Sequence, residues 1–566
     1  MFKRKSINSI DNESNKKQKY SKTYIRASSV GNYILNDSLV DFIQYSLQPN
    51  IDNNIKFIMD QGNIFESEII KIIDKKHIIS KIDITETNAS KYSKTCDFIK
   101  NKVNIIYQGY LYDEEQNIGG SPDLIVLSTY IDTLLEYKFM ETNNIPILVN
   151  NLPYYVIIDI KHSTLHLNND NTIKNLNRVP AYKAQLYIYT KLLNNIQNVY
   201  INRAYILGKF SDSQSMNIGI IDYDVYDKEI IGRTNSAIKW LQDINYNYDT
   251  YQTQLDNNTQ LDDNLYPNMK SDTCYSEKKT INSNVNDITT IWNCSTRHRN
   301  IAHAHKIYSW KDDKLNAELL GFTNLRATII NNILDINRQN TDLIRINDNM
   351  DKLKYTNSKG LNIFLDFEGF SESLNSQIKD GIINYDNNYY IYMIGIGYTI
   401  DNKWKYKSFI LKDLNQKSHL NLFKSLFFFL RTLLRSQKKD FINFYHWSNY
   451  EKSEFNKIKN SLNICITDDL YQFNDLCKAF QENVVIKDSF NFKLKNIATA
   501  LYKHKMIDTC YSSNNCTNGL DASINALQLY NSNLKNISSH PIMQDIQNYN
   551  EIDCKLVYEF HKLLIS

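Results

Sequence analysis

Apolar residues return along this 566-residue chain in two rhythms. Around 57–76 and 182–194 they recur every three or four positions, which predicts amphipathic helices. At Ile105–Tyr112, Asp123–Leu127, Tyr155–Lys161 and Val199–Leu207 largely apolar runs of a few residues predict strands. From 245 to 290 Asn, Asp, Thr and Ser crowd out apolar residues, the signature of a linker or an exposed excursion. Helical spacing resumes at Asp287 and continues to about 335. A second strand-rich region follows, with Leu361–Phe370, Tyr389–Ile400 and Trp404–Leu411, then a helix around 418–436. A strand from Phe441 leads into a helix carrying Glu451, and an amphipathic helix opening at Tyr549 runs through Leu556, Val557, Phe560, Leu563 and Leu564.

A chain of this length exceeds what one core supports, so about two to four domains are expected. The pattern divides it into a basic tail at 1–24 expected to be disordered, a mixed domain at 25–245, a polar linker at 246–286, a helical connector at 287–350 and a second mixed domain at 360–566. The expected fold class is α/β and α+β. Hydrophobic content of 42% and charged content of 22% are ordinary for folded protein. The 40 tyrosines, against only 15 glycines and 7 prolines, reflect coding bias and say nothing about chemistry.

A net charge of +3 creates no global field for a polyanion, so binding one would require local patches. Residues 1–30 are an exception, holding Lys3, Arg4, Lys5, Lys16, Lys17, Lys19, Lys22 and Arg26 against Asp11 and Glu13. Lys3-Arg4 and Lys16-Lys17-Gln18-Lys19 have the spacing of a bipartite nuclear-import signal; a solvated tail explains them as well, and a nonspecific nucleic-acid arm is the third reading. The start lacks the apolar core of a secretion signal, and the Leu422–Leu434 run is too short to span a bilayer and carries Lys424 and Arg431. An intracellular protein, in nucleus or cytoplasm and without a membrane partner, is expected. Eight cysteines without Cys-x-x-Cys pairs argue against a disulfide framework.

Candidate chemistry begins with Asp159 and Lys161. They lie two apart after the run Tyr154–Ile158, so a strand would point both to one face. Asp123 follows the turn Gly119-Gly120-Ser121-Pro122 and opens a neighbouring apolar run. Acids at strand ends suit Mg²⁺, which takes hard oxygen ligands and phosphate oxygens, while Lys161 could orient water or stabilise charge on phosphorus. In the second half, Asp366 and Glu368 share a strand face in the same way. Cys294, His298, His303 and His305 invite a zinc reading, weakened by the absence of paired cysteines.

The order Asp123, Asp159-x-Lys161 resembles the PD-(D/E)XK nucleases, and Gln185-x-x-x-Tyr189 narrows the likeness to their RecB-type branch. That branch has an upstream Gly-x-x-(Phe/His)-Glu pattern, matched by Gly62-Asn63-Ile64-Phe65-Glu66. The resemblance implies that Glu66, Asp123 and Asp159 hold metal, Lys161 assists the water, and Gln185 and Tyr189 position substrate. Several members clamp an iron–sulfur cluster with one Cys before the site and three after it. Here Cys96 has no clustered trio to follow, so no cluster is expected.

The second half resembles ribonuclease-H-like domains of the DEDD exonuclease type, in which four carboxylates hold two Mg²⁺ ions. Asp366 and Glu368 supply the first motif, and Tyr549-x-x-x-Asp553 the last, with the tyrosine on the water. The usual middle Asp is missing. A subset fused behind RecB-type domains has a pattern similar to His446-Trp447-Ser448-Asn449-Tyr450-Glu451, which implies Glu451 as the third acid, with Glu454 as fallback. Asp475-Leu476 and the stretch from Ser489 to Lys495 also resemble that subset, placing Lys493 and Lys495 against a phosphate backbone. The connector position in such fusions resembles a helix-hairpin-helix, but its glycines are absent here; Arg297, Arg299 and Lys306 remain as phosphate contacts.

Together these likenesses imply hydrolysis of phosphodiester bonds with Mg²⁺ or Mn²⁺, in DNA ends or single strands more than in RNA. Two alternatives stand beside this: a nucleic-acid-binding scaffold with one or both centres inert, and an RNA-processing exonuclease acting through the C-terminal domain alone. The sequence does not address protein partners.

Overall fold

The computed structural model describes residues 24–49, 52–209, 217–257, 261–339, 341–348, 350, 360–370, 376–379, 382–385, 390–461, 470–511, 516, 518–532, 534 and 536–566. The basic segment with import-like spacing lies outside these residues up to position 23. The chain forms two compact units of mixed α and β structure, the first containing most residues up to Val285 and the second most residues from Asn286 onward. Among the described residues, no helix is long and apolar enough to cross a membrane.

The first unit is built on a six-stranded sheet whose spatial order follows the chain: β1 (Ser80–Lys81), β2 (Ile105–Tyr107), β3 (Leu124–Leu127), β4 (Tyr155–Thr164), β5 (Arg203–Lys209) and β6 (Asn217–Asp222). β1 and β2 are parallel, as are β4 and β5; the other pairs are antiparallel. β4 is buried from Tyr155 through Ile160, which explains its continuous apolar run: an inner strand covered on both faces cannot alternate. Helix α1 (Asn53–Lys76) buries Phe65, Ile69, Ile70 and Ile73, one stripe at helical spacing. Helix α2 (Val179–Gln197) starts with Pro180 in its first turn, where the missing N–H costs nothing, and packs on β4 and β5.

Two expectations need correction here. The predicted strand Ile105–Tyr112 breaks at Gln108, which adopts φ 58°, and Gly109, where a Cβ would press against Ile125. After the break, Leu111–Asp113 joins Ile118–Gly120 and Ile25–Arg26 in a separate small sheet. The polar stretch 246–286 is no linker. Helix α3 (Lys228–Asn257) runs far into it, Leu261, Leu265, Tyr266 and Tyr275 are buried, and Lys278 forms a buried ion pair with Asp37 at 2.7 Å. A few apolar anchors and one compensated charge suffice to hold a segment whose average composition is polar.

The second unit centres on a five-stranded sheet in the order β9-β8-β7-β10-β11, formed by β7 (Leu361–Gly369), β8 (Ile391–Ile400), β9 (Lys403–Ile410), β10 (Ile442–His446) and β11 (Tyr471–Asp475). The meander β7-β8-β9 is antiparallel, and β10 and β11 add in parallel. Residues 287–350, read as a separate connector, contribute helices α4 (Thr296–Ala304) and α5 (Asn324–Arg338), whose apolar faces share one core with Phe364, Tyr445, Leu556 and Phe560. Ile344–Ile346 also pairs with Val484–Ile486. On the sheet lie α6 (Gln416–Ser436), α7 (Tyr450–Ser461), α8 (Leu494–Lys503) and α9 (Pro541–Ile565). α9 begins two turns before the predicted opening at Tyr549 because Pro541 starts it and His540 caps it.

In the first unit, Lys183 of α2 and Asp227 pair at 2.6 Å with both side chains fully enclosed. Removing one partner strands a buried charge, so Lys183→Met should lower the unfolding free energy by about 3–5 kcal/mol, while Lys183→Met with Asp227→Leu should recover most of it. Urea denaturation of the three proteins measures this; a single-variant loss under ~1 kcal/mol would show that the pair is not holding the fold.

Candidate metal centre

The period of two along β7 puts Asp366 and Glu368 on the face covered by α9, and the helix brings Asp553 onto them. One carboxylate oxygen from each of the three lies within 4.8 Å of the other two, and no other trio of Asp, Glu, His or Cys does this among the described residues. Burial, with repulsion from neighbouring acids, raises all three. Asp366 is pushed far above the carboxylate range by burial, then by Asp553, Glu368 and Glu451. Burial and Asp553 lift Glu368 to about 8. Burial lifts Asp553 to about 7, even though the hydroxyls of Tyr511 and Tyr549 and the charge of Lys495 pull it down.

Neighbouring side chains fix these acids in place. Asn550, fully buried, donates Nδ2 to Asp366 Oδ2 at 2.6 Å, and its Oδ1 accepts from Tyr406 OH at 2.8 Å. Room for that amide comes from Gly395 in β8, where a Cβ would overlap Asn550 Oδ1. Tyr511 OH donates to Asp553 Oδ1, and the Lys495 ammonium lies 4.8 Å over the Tyr511 ring. Tyr392 OH reaches Glu368 at 3.5 Å.

Glu451 is placed differently from the other three expected acids. It lies at the start of α7, buried, with its carboxylate 3.6 Å from His446 Nδ1, and stands outside the 4.8 Å group while still repelling its members. Burial, then Asp475, raise it, and His446 offsets part of that. Glu454, the fallback, pairs with Lys457 at 2.7 Å. Lys493 is exposed just before α8 and touches no acid of the group.

A second acidic cluster forms in the first unit. Leu124 pairs with Ile158, so the register sets Asp123 opposite Asp159. Asp123 Oδ2 accepts the Ile160 N–H at 2.7 Å, and Lys161 Nζ stands 2.5 Å from Asp159 Oδ2. Glu66 joins through Gln108, whose Nε2 donates to Glu66 at 2.9 Å and to Asp123 at 3.3 Å; Tyr107 OH also donates to Glu66 at 3.1 Å. Gln185 Nε2 donates to Tyr189 OH at 3.1 Å, and the Tyr189 ring lies so close to Gly120 that a Cβ there would meet it at 2.9 Å. Burial drives Asp123 well above its usual range, and Asp159 and Glu66 add to that against Lys161. Burial works against the charge of Lys161, but Asp159 and Asp123 outweigh it and hold the ammonium above its ordinary range.

The Cys294 and His298 region shows no metal geometry among the described residues. Cys294 is buried in the apolar core, and His298 accepts the Ser295 N–H at 2.9 Å while stacking on Phe322 at 4.5 Å.

No protein-family model matches this chain, and no curated protein is similar to it. The geometry therefore carries the argument. Three crowded carboxylates with raised affinities for protons, buried at Glu368 and Asp553 and half-buried at Asp366, could hold a hard divalent cation.

In the metal-free protein the shifts make stability depend on pH. Glu368 and Asp553 keep their protons to about 8 and about 7, against ordinary values of 4.5 and 3.8. Between these limits the folded state binds more protons than the unfolded one, so stability is greatest on the acid side and declines as pH rises through the folded values. Urea midpoints from pH 5 to 8.5 should fall for the native chain and flatten in Glu368→Gln/Asp553→Asn. Equal slopes in both proteins would contradict the assignment.

Proposed function

We propose that the protein is a metal-dependent nuclease, with a RecB-type PD-(D/E)XK first unit and a DEDD-type ribonuclease-H-like second unit, hydrolysing phosphodiester bonds in DNA ends or single strands. The observation that carries this reading is the enclosed trio Asp366, Glu368 and Asp553. Three like charges in one largely buried space are costly unless protonated or joined by a cation. Their oxygen-only chemistry fits Mg²⁺ or Mn²⁺. When bound, the ion supplies positive charge that polarises a phosphate and lowers the pKa of water.

The chain's own groups do the rest. Asn550 and Tyr406 hold Asp366 in one rotamer, and Tyr511 does the same for Asp553. Tyr549 stays a neutral donor, since burial and the adjoining acids raise it, and a neutral hydroxyl beside Asp553 can orient a water. In the first unit Glu66, Asp123 and Asp159 would hold the cation. Lys161 remains charged, which suits it to stabilise negative charge developing on phosphate rather than to take a proton. Gln185 and Tyr189 brace each other and the Gly120 turn, so in this reading they position substrate through that turn.

A second reading confines chemistry to the C-terminal trio, acting on RNA. It is favoured by one contrast: Lys161 already neutralises Asp159, and the Gln108 amide lies between Glu66 and Asp123.

Labelled DNA and RNA oligonucleotides with Mg²⁺ or Mn²⁺ separate these readings. Cleavage of DNA that is lost in part in Asp159→Ala and in part in Asp366→Ala supports two working centres. RNA and DNA cut equally, with loss only in Asp366→Ala, supports the second reading, and no cleavage with either metal leaves a nucleic-acid-binding scaffold. At the first centre, Lys161→Met should slow turnover by roughly 100-fold or more while Mn²⁺ affinity changes little. Unchanged turnover would remove Lys161 from the mechanism.

A further inference from the structure

Besides the basic segment at the start of the chain, one stretch of the second unit concentrates positive charge. Residues 402–439 hold eight lysines and two arginines against a single aspartate, a net +9 in a chain whose total is +3. The remaining residues are therefore net negative. Nine of these ten basic side chains, Lys403, Lys405, Lys407, Lys412, Lys417, Lys424, Arg431, Arg435 and Lys438, are exposed. None of the nine has an ion-pair partner among the described residues, so their charge is not spent within the protein.

The fold lays them on one side of the second unit's sheet. Along β9, Tyr406 and Ser408 point toward α9, where they bond Asn550 and Gln547. The alternate residues point the other way, toward α6, as the contact of Phe409 with Phe429 shows at 5.8 Å. Lys403, Lys405 and Lys407 thus line the outer edge of the face opposite the acid trio. α6 buries Leu422, Phe423, Leu426, Leu430 and Leu433 against the sheet and has no acidic residue. Its solvent side carries Lys424, Phe428, Arg431 and Arg435 at spacings of four, three and four, a single stripe in which Phe428 is 75% exposed between cations.

We propose that β9 and α6 form a docking surface for the phosphate backbone of nucleic acid, separate from the acid trio, with Phe428 placed to stack on an unpaired base. This rests on the nuclease reading for the choice of polyanion, and charge complementarity is what the surface itself supplies. Lysines on an edge strand also deter pairing with another sheet, but that role needs neither the arginines of α6 nor an exposed aromatic. An anionic lipid surface would need apolar side chains free to insert; the apolar face of α6 is committed to the core, leaving only Phe428.

The test uses the full chain in EDTA, so that binding is read without cleavage. Fluorescence anisotropy of a labelled single-stranded oligonucleotide is measured against salt for the native protein, for Lys424→Glu/Arg431→Glu/Arg435→Glu and for Phe428→Ala. The triple variant should weaken binding roughly tenfold or more and reduce the slope of log K against log salt by about 2. Phe428→Ala should weaken binding several-fold with the slope retained, because stacking releases no counterions. Equal affinity and slope in the triple variant would overturn the proposal, as would charge-dependent sedimentation with phosphatidylserine vesicles without oligonucleotide binding. Mn²⁺ affinity and urea midpoint, unchanged in the variants, confirm that the fold and the trio are intact. If the surface binds oligonucleotide but no metal supports cleavage, the nuclease reading fails and the docking surface stands; cleavage with an unaltered triple variant gives the converse.

Discussion

Mutual repulsion among enclosed carboxylates sets the terms for the second unit. Asp366, Glu368 and Asp553 come from strand and helix segments far apart in sequence, and the fold brings them into a space where burial raises all three, Asp553 adds to the rise at Asp366 and Glu368, and Glu451 adds to it at Asp553. Low polarisability inside a protein makes such contacts costly unless a proton or cation intervenes. The chain keeps that cost while spending further buried polar groups to hold the acids still. Asn550 bonds Asp366 and also pulls Glu368 down, Tyr406 bonds Asn550, and a glycine in the middle of β8 removes the side chain that would have blocked them. A fold selected only for stability would place apolar side chains here.

The first unit meets a similar demand differently. Its acids are compensated from within: Lys161 sits on Asp159, the Ile160 N–H on Asp123, and Gln108 spans Asp123 and Glu66. The arrangement follows from sheet register, because pairing of Leu124 with Ile158 leaves the two aspartates opposite each other at the strand ends. Gln108 reaches both acids only because the chain turns through a left-handed residue there, which also ends β2. The same local break therefore shortens a strand and supplies the bridge.

How much of this could be read from the sequence depended on the range of the interaction. Asp159 with Lys161 and Asp366 with Glu368 were legible because strand periodicity alone puts each pair on one face. Asp553 was reachable only through the resemblance of Tyr549-x-x-x-Asp553 to the last motif of DEDD-type exonucleases. Asn550 lay in the same helix yet gave no local sign of its partner; the available hint was Gly395 inside an apolar strand, where glycine marks close approach. Tyr511 and Gln108 had none, since both act across long sequence separations from loops. The 246–286 stretch misled for a related reason: Lys278 looks like solvated charge until Asp37, more than two hundred residues away, closes around it.

The two clusters differ in what a cation would have to displace. In the second unit the three acids are held by neutral donors, the Asn550 amide and the Tyr511 and Tyr392 hydroxyls, so a divalent ion there would compete mainly with protons in the range of pH 7 to 8. In the first, an ion would have to share Asp159 with an ammonium and separate the Gln108 amide from Glu66 and Asp123, whose contacts are 2.9 and 3.3 Å. A bound phosphodiester could ease both changes, since its negative charge gives Lys161 an alternative partner and gives an incoming cation additional oxygens. On the proposed reading, metal and substrate would arrive cooperatively at the first cluster and more independently at the second, a difference rooted in whether the neutralising charge already belongs to the protein.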